Sequence, residues 1–164
     1  MFWKLPFDIK LDLTTIQRGE MTRQYGALRY FRMHELHPAL QRLDTRLRPD
    51  MWLFAEIFQP VILPPHRDLN TLCALNFYIQ PGNGVTTFFE DPPGESRRFY
   101  KLGDISVASS FQASSGETYL LDVSRIHDVT KLTSPRYFVQ AGWTTRSFQD
   151  VRANIEQMLL EDAE

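Results

Sequence analysis

The chain has four histidines, His34, His37, His66 and His127, and two of them stand where metal chemistry would need them. His66 lies in Pro64-Pro65-His66-Arg67-Asp68, just ahead of an apolar run. In an extended segment, residues i and i+2 point to the same side, so His66 and Asp68 can converge on one ion while Arg67 faces away. Such triplets arise by chance, and a third ligand is needed. His127 supplies it, after the apolar run Thr118 to Val123 and near the end of a late predicted strand. Two imidazoles and one carboxylate make the facial set of mononuclear non-haem Fe(II) sites, with positions left for a bidentate keto acid and dioxygen. Zinc accepts the same donors, so the residue types alone leave the metal open. Arg136 comes nine residues after His127, at the head of the run Tyr137-Phe138-Val139. A guanidinium there can grip a carboxylate in the same cavity, on the strand expected to pair with the one that bears His127. His34 and His37 sit three apart on a predicted helix with no third ligand near them, and read as solvated or packing residues.

The elements that must position these groups follow from periodicity. Leu36, Leu40, Leu43 and Leu47 recur at helical spacing, which predicts a helix over about 33–47, ended by Pro49-Asp50. From Trp52 the pattern changes to short β-type runs: 52–58, 72–79, 86–89, 105–111, 118–122 and 137–143. Turn residues separate them, among them Gln80-Pro81-Gly82-Asn83-Gly84, Asp91-Pro92-Pro93-Gly94 and Ser114-Ser115-Gly116. Many short strands with such punctuation predict a β-sandwich or barrel. Val151, Ile155, Met158 and Leu159 predict a closing helix over 149–161. The expectation is one mainly β domain over 1–164: an N-terminal segment over 1–50, a core over 52–144 and flanking helices. The first 30 residues give no readable element.

At this point the residues resemble a family. His66-x-Asp68, then His127, then Arg136, is similar to the Fe(II)/2-oxoglutarate-dependent oxygenases, and most to their prolyl-hydroxylase branch. Asn76-Phe77-Tyr78-Ile79-Gln80 resembles that branch's strand ending in Tyr-Leu-Asn. Gly84-Val85-Thr86-Thr87-Phe88 resembles its Gly-Gly-x-Thr-x-Phe turn and strand. Gly116 through His127-Asp128-Val129 resembles its Gly-x-x-x-x-Phe stretch followed by His-x-Val. The likeness covers about 52–143, and departs from the pattern where Val85 replaces the second glycine and Gln80 the asparagine.

This resemblance implies a double-stranded β-helix, a jelly roll of the cupin type. It implies His66, Asp68 and His127 as catalytic Fe(II) ligands, with Arg136 and Tyr78 meeting the far carboxylate of 2-oxoglutarate. Asn76 shares the strand parity of Tyr78 and is expected to face the same cavity. The implied reaction turns 2-oxoglutarate and O2 into succinate and CO2 while hydroxylating a C–H bond, with ascorbate as an accessory reductant. A prolyl or other amino-acid-type substrate is expected, either a small molecule or a peptide. Its contacts are expected from the N-terminal segment and the basic loop Asp91 to Leu102, which carries Arg97, Arg98 and Lys101.

Composition limits the alternatives. At 164 residues with 43% hydrophobic and 23% charged residues, the chain is long enough to bury a core. No apolar run is long enough to span a bilayer. The acid and proline within the first eight residues argue against a secretory signal. The single Cys73 forbids an internal disulfide and fits a reducing compartment, so a cytoplasmic protein is expected. A net charge of −2 provides no basic footprint for nucleic acid. The sequence after Arg136 also lacks the Arg-x-Asn-x-Thr-x-Arg arrangement of the superfamily's nucleic-acid demethylases. The rival from another class is a non-catalytic or 2-oxoglutarate-independent cupin-like metal-binding module. Arg136 separates the two, because an arginine facing the metal cavity with no carboxylate to bind would be a buried, unpaired charge.

Overall fold

The computed structural model describes residues 1–58 and 64–164. Ten strands and two helices follow in the order β1 (Phe2–Lys4), β2 (Met21–Tyr25), β3 (Leu28–Arg32), α1 (Pro38–Leu47), β4 (Met51–Ile57), β5 (Cys73–Gln80), β6 (Val85–Phe89), β7 (Val107–Gln112), β8 (Thr118–Leu121), β9 (His127–Thr130), β10 (Arg136–Trp143) and α2 (Phe148–Asp162). Seven strands form one antiparallel sheet in the order β1-β8-β5-β10-β4-β3-β2, and β7-β6-β9 form a second. The chain is a jelly roll: two antiparallel sheets face each other, and the helices cover the outer face of the larger one.

Period-two alternation divides the large sheet. Cys73, Leu75, Phe77 and Ile79 of β5 and Val139, Ala141 and Trp143 of β10 join Leu40, Leu43 and Leu47 of α1 and Val151, Ile155 and Met158 of α2 in one apolar core. The intervening Ala74 and Tyr78 of β5 and Phe138 of β10 face the other way. They pack with Phe88 and Phe111 of the small sheet and with Tyr119 and Leu121 of β8 in a second core between the sheets. The Trp143 indole N–H donates to the Leu47 carbonyl at 3.3 Å and ties β10 to the end of α1.

Helix α1 starts at Pro38 rather than near Met33. The leucine stripe extends upstream to Leu36, but a proline favours the first helical turn, and the His37 side chain caps it by accepting from the Ala39 N–H at 3.2 Å. His34 and His37 therefore do not share a helix face: His37 is the cap, and exposed His34 lies 3.5 Å from Glu20. Arg48, at φ +48°, ends the helix in the left-handed region. A reciprocal bond between Ser147 and Asp150 caps α2.

The opening residues, unreadable from periodicity, supply strands β1, β2 and β3. Gly26, at φ +56°, makes the turn between the last two. A further correction concerns β10. It pairs with β4 and β5 in the large sheet, whereas β9, which begins with His127, pairs with β6 in the small one. Arg136 and His127 thus approach each other from opposite sheets, across the barrel. Among the described residues, no helix is long and apolar enough to cross a membrane.

Candidate metal centre

His66 and His127 face each other in a single antiparallel bridge at the mouth of the barrel. The His66 N–H donates to the His127 carbonyl at 3.0 Å, and the His127 N–H returns the bond at 2.9 Å. Two residues on, the Asp68 N–H donates to the Val123 carbonyl at 3.0 Å, which keeps the segment extended. Asp68 therefore shares a side with His66. Arg67 turns outward, where its guanidinium donates to the Ser124 carbonyl at 3.0 Å and to Asp91 at 2.9 Å.

The side chains converge as the spacing predicts. One donor atom each from His66, Asp68 and His127 lies within 4.8 Å of the others. Asp68 Oδ1 is 3.4 Å from His66 Nε2 and 3.6 Å from His127 Nε2. These separations approach the ~3 Å expected between neighbouring donors bonded at ~2.1 Å to one ion. The backbone also fixes the tautomers. His66 Nδ1 lies 3.0 Å from the Pro64 carbonyl and His127 Nδ1 2.9 Å from the Arg125 carbonyl. A carbonyl only accepts, so each Nδ1 carries the proton and each Nε2 turns a lone pair inward.

Electrostatics favour the ligating forms. Burial holds the His127 imidazole below its ordinary pKa, against the pull of Asp68, so the ring is neutral and able to bind metal. Burial alone would raise the Asp68 carboxyl, but the positive charge it meets, that of Arg23 included, holds it below the usual carboxylate range. The donor set fits a divalent first-row metal with open positions.

Below the three donors, a small cavity runs between the sheets. Arg136, Tyr78 and Asn76 all line it together with the triad, so the structure brings all six sequence-predicted residues to one site. Arg136 is 1% exposed. Its guanidinium carbon sits 4.7 Å from the centre of the Tyr78 ring, and it donates to Thr86 Oγ1 at 3.2 Å. Its Nε is buried without a hydrogen-bond partner among the described residues, and no carboxylate there pairs with it. Residues 59–63 contain no acid that could do so. Gly84 makes room for this side chain, because a Cβ there would stand 3.2 Å from an Arg136 nitrogen and 2.7 Å from Leu132.

Asn76 accepts from Gln140 at 2.9 Å and donates to the Tyr78 hydroxyl at 3.4 Å. Thr86 and Gln140 were not singled out by sequence. Thr86 lies within the Gly84 to Phe88 stretch, and β10 parity puts Gln140 on the face of Arg136, so both signals were present.

The fold and site together define a jelly roll of the cupin type with a preformed cluster of two histidines and one aspartate. No family profile and no curated protein matches the sequence. Among solved structures, the chain is similar in fold to HygX from Streptomyces hygroscopicus, which was solved with nickel and 2-oxoglutarate bound. The TM-score is 0.51 at 14% identity, over 79% of this chain and 76% of that one. It also overlaps ycfD of E. coli, at a TM-score of 0.48 and 10% identity over 83% of this chain and 38% of that one. A third overlap, with the 7S globulin of Momordica charantia, has a TM-score of 0.41 and 11% identity over 78% and 32%.

Proposed function

We propose that the chain is an Fe(II)- and 2-oxoglutarate-dependent oxygenase that hydroxylates a C–H bond of a small-molecule or peptide substrate. The observation that carries this reading is Arg136, a buried guanidinium without a carboxylate, in the same cavity as two imidazoles and an aspartate. Leaving a charge in that state is costly, and a dicarboxylate that also chelates the metal answers both needs at once. HygX, similar in fold, was solved with nickel and 2-oxoglutarate.

In this reading His66, Asp68 and His127 hold the metal, and their Nδ1–carbonyl bonds keep both rings aimed at it. Arg136 donates to the far carboxylate of 2-oxoglutarate, with the Tyr78 hydroxyl and Thr86 beside it. The bound metal, keto acid and O2 supply the oxidising chemistry, giving succinate, CO2 and a hydroxylated substrate. Phe138, Leu121, Val123 and Val129 wall the space with apolar surface and limit the water that reaches it. Neutral His127 and ionised Asp68 bind metal without first releasing a proton near neutral pH.

Anaerobic titration with Fe(II) and then 2-oxoglutarate tests the reading. A weak visible charge-transfer band is expected in the wild type and absent in His127→Ala. Iron binding without a band points instead to a 2-oxoglutarate-independent metal-binding module.

A further inference from the structure

A second depression opens beside the triad and shares His66 and Asp68 with it. Two of its walls come from regions outside the metal-ligand segment, and the barrel strands supply Leu28, Tyr30, Leu53 and Gln140. Strand β2 contributes Arg23 and Tyr25, and the loop after β6 contributes Arg98 and Phe99. That loop is fastened to the ligand-bearing segment. The Arg67 N–H donates to the Arg98 carbonyl at 2.9 Å, the Tyr100 N–H donates to the Pro65 carbonyl at 2.9 Å, and Phe99 bridges to His66. Arg98 is thereby held one residue from each of two metal-ligand positions.

Neither Arg23 nor Arg98 has a carboxylate partner among the described residues, although Arg18, Arg67, Arg97 and Arg125 each have one. Arg98 Nε is buried with no hydrogen-bond partner among the described residues, and its guanidinium carbon lies 4.9 Å from the Phe99 ring centre. Among the described residues, the only acid lining the depression is Asp68, which the proposed reading commits to the metal. Two unpaired guanidinium groups thus flank a space whose exposed apolar side chains are Tyr25, Leu69 and Phe99. Guanidinium groups recognise carboxylate and phosphate oxygens, and exposed aromatic faces take an apolar body.

We infer that the substrate is an anionic organic molecule, its carboxylate or phosphate held between Arg23 and Arg98 and its apolar part laid against Tyr25, Leu69 and Phe99, with the reacting carbon toward the metal. This inference rests on the proposed oxygenase reading for its orientation, but the anion site itself does not require turnover. The Gln140 side chain, already bonded to Asn76, provides the polar floor.

The test is equilibrium binding of 3-phenylpropionate, phenyl phosphate and neutral 3-phenylpropionamide, followed by NMR. The full-length protein is first saturated with Mn(II) and 2-oxoglutarate, so that Arg136 is already engaged. At least one anion should bind about tenfold more tightly than the amide, the size of one charge-assisted contact. The preferred anion tells carboxylate from phosphate. The preference should fall to near unity in Arg98→Gln and weaken in Arg23→Gln, while amide binding persists in both and shows that they remain folded. Equal binding of amide and anions, no binding of either anion at millimolar concentration, or a preference untouched by both substitutions overturns the inference. The Fe(II)–2-oxoglutarate band of the wild type separates the two readings. Anion preference without a band sinks the oxygenase reading alone, and a band without preference sinks the anionic-substrate reading alone.

Discussion

The two faces of β5 and β10 belong to the same strands but live under different rules. Toward the helices, Leu75, Phe77, Val139 and Trp143 are fully buried in apolar surroundings. Toward the small sheet, Asn76, Gln140 and Arg136 are nearly as buried, yet polar. One face can be filled to close packing for stability, while the other keeps polar groups that a well-packed core would exclude. A change of one residue along the strand therefore moves a mutation from one regime to the other.

The largest effect on folding is expected from the helix-side face. Trp143→Ala should cost about 3–5 kcal/mol, read from chemical denaturation, because it leaves a cavity and removes the tie to Leu47. A loss below about 1 kcal/mol would mean that the helices contribute little to the sheet.

Arg136→Leu probes the opposite face. It should weaken 2-oxoglutarate binding about 10–100-fold, the worth of hydrogen bonds to a charged group, as read from the charge-transfer band. The ligand-free protein should be no less stable than the wild type, because the lost group is a buried charge with a single hydrogen bond. A large fall in stability would show that Arg136 is structural and erase the contrast between the faces.

The smallest expected effect concerns β9, where His127 and Val129 line the cavity and Asp128 takes the other side. Burial raises the Asp128 carboxyl from 3.8 to about 6, and one of its oxygens is buried without a partner among the described residues. Between these values the folded state holds the proton more tightly than the unfolded chain. That stabilisation is complete below pH 3.8 and lost as pH rises through about 6. Asp128→Asn cannot ionise, so it should be more stable than the wild type at neutral pH by on the order of 1 kcal/mol. Denaturation at the two pH values should show this advantage vanish at the acidic end.

What could be read from sequence follows the same division. The strands from β4 onward announced themselves through apolar runs cut by Gly and Pro, except β9: His127 was expected near the end of the preceding strand, and His127-Asp128-Val129-Thr130 holds one apolar residue and does not stand out as a run. The triad did so because metal ligation needs particular residue types at particular spacing. Strand β2 did not, because all five of its residues are exposed and its side chains carry no alternation. The start of α1 was masked by Leu36, although Pro38 marked it. The partner of β10 was misread because sequence order favours neighbours, whereas a jelly roll sends consecutive strands to opposite sheets. Arg98 was read only as one of three cations of a basic loop, and Arg23 not at all: an arginine without a partner is recognised only once its surroundings are known.

The reciprocal backbone bonds between His66 and His127 bear on metal supply. The spacing of the two imidazoles is set by main-chain hydrogen bonds and holds before any ion arrives. Several first-row ions would therefore meet the same rigid donor geometry, and the protein has little means to refuse one by reshaping itself. On the proposed reading, the ion held in a cell then depends on which is abundant and exchangeable there, and purified protein would carry the metal history of its source.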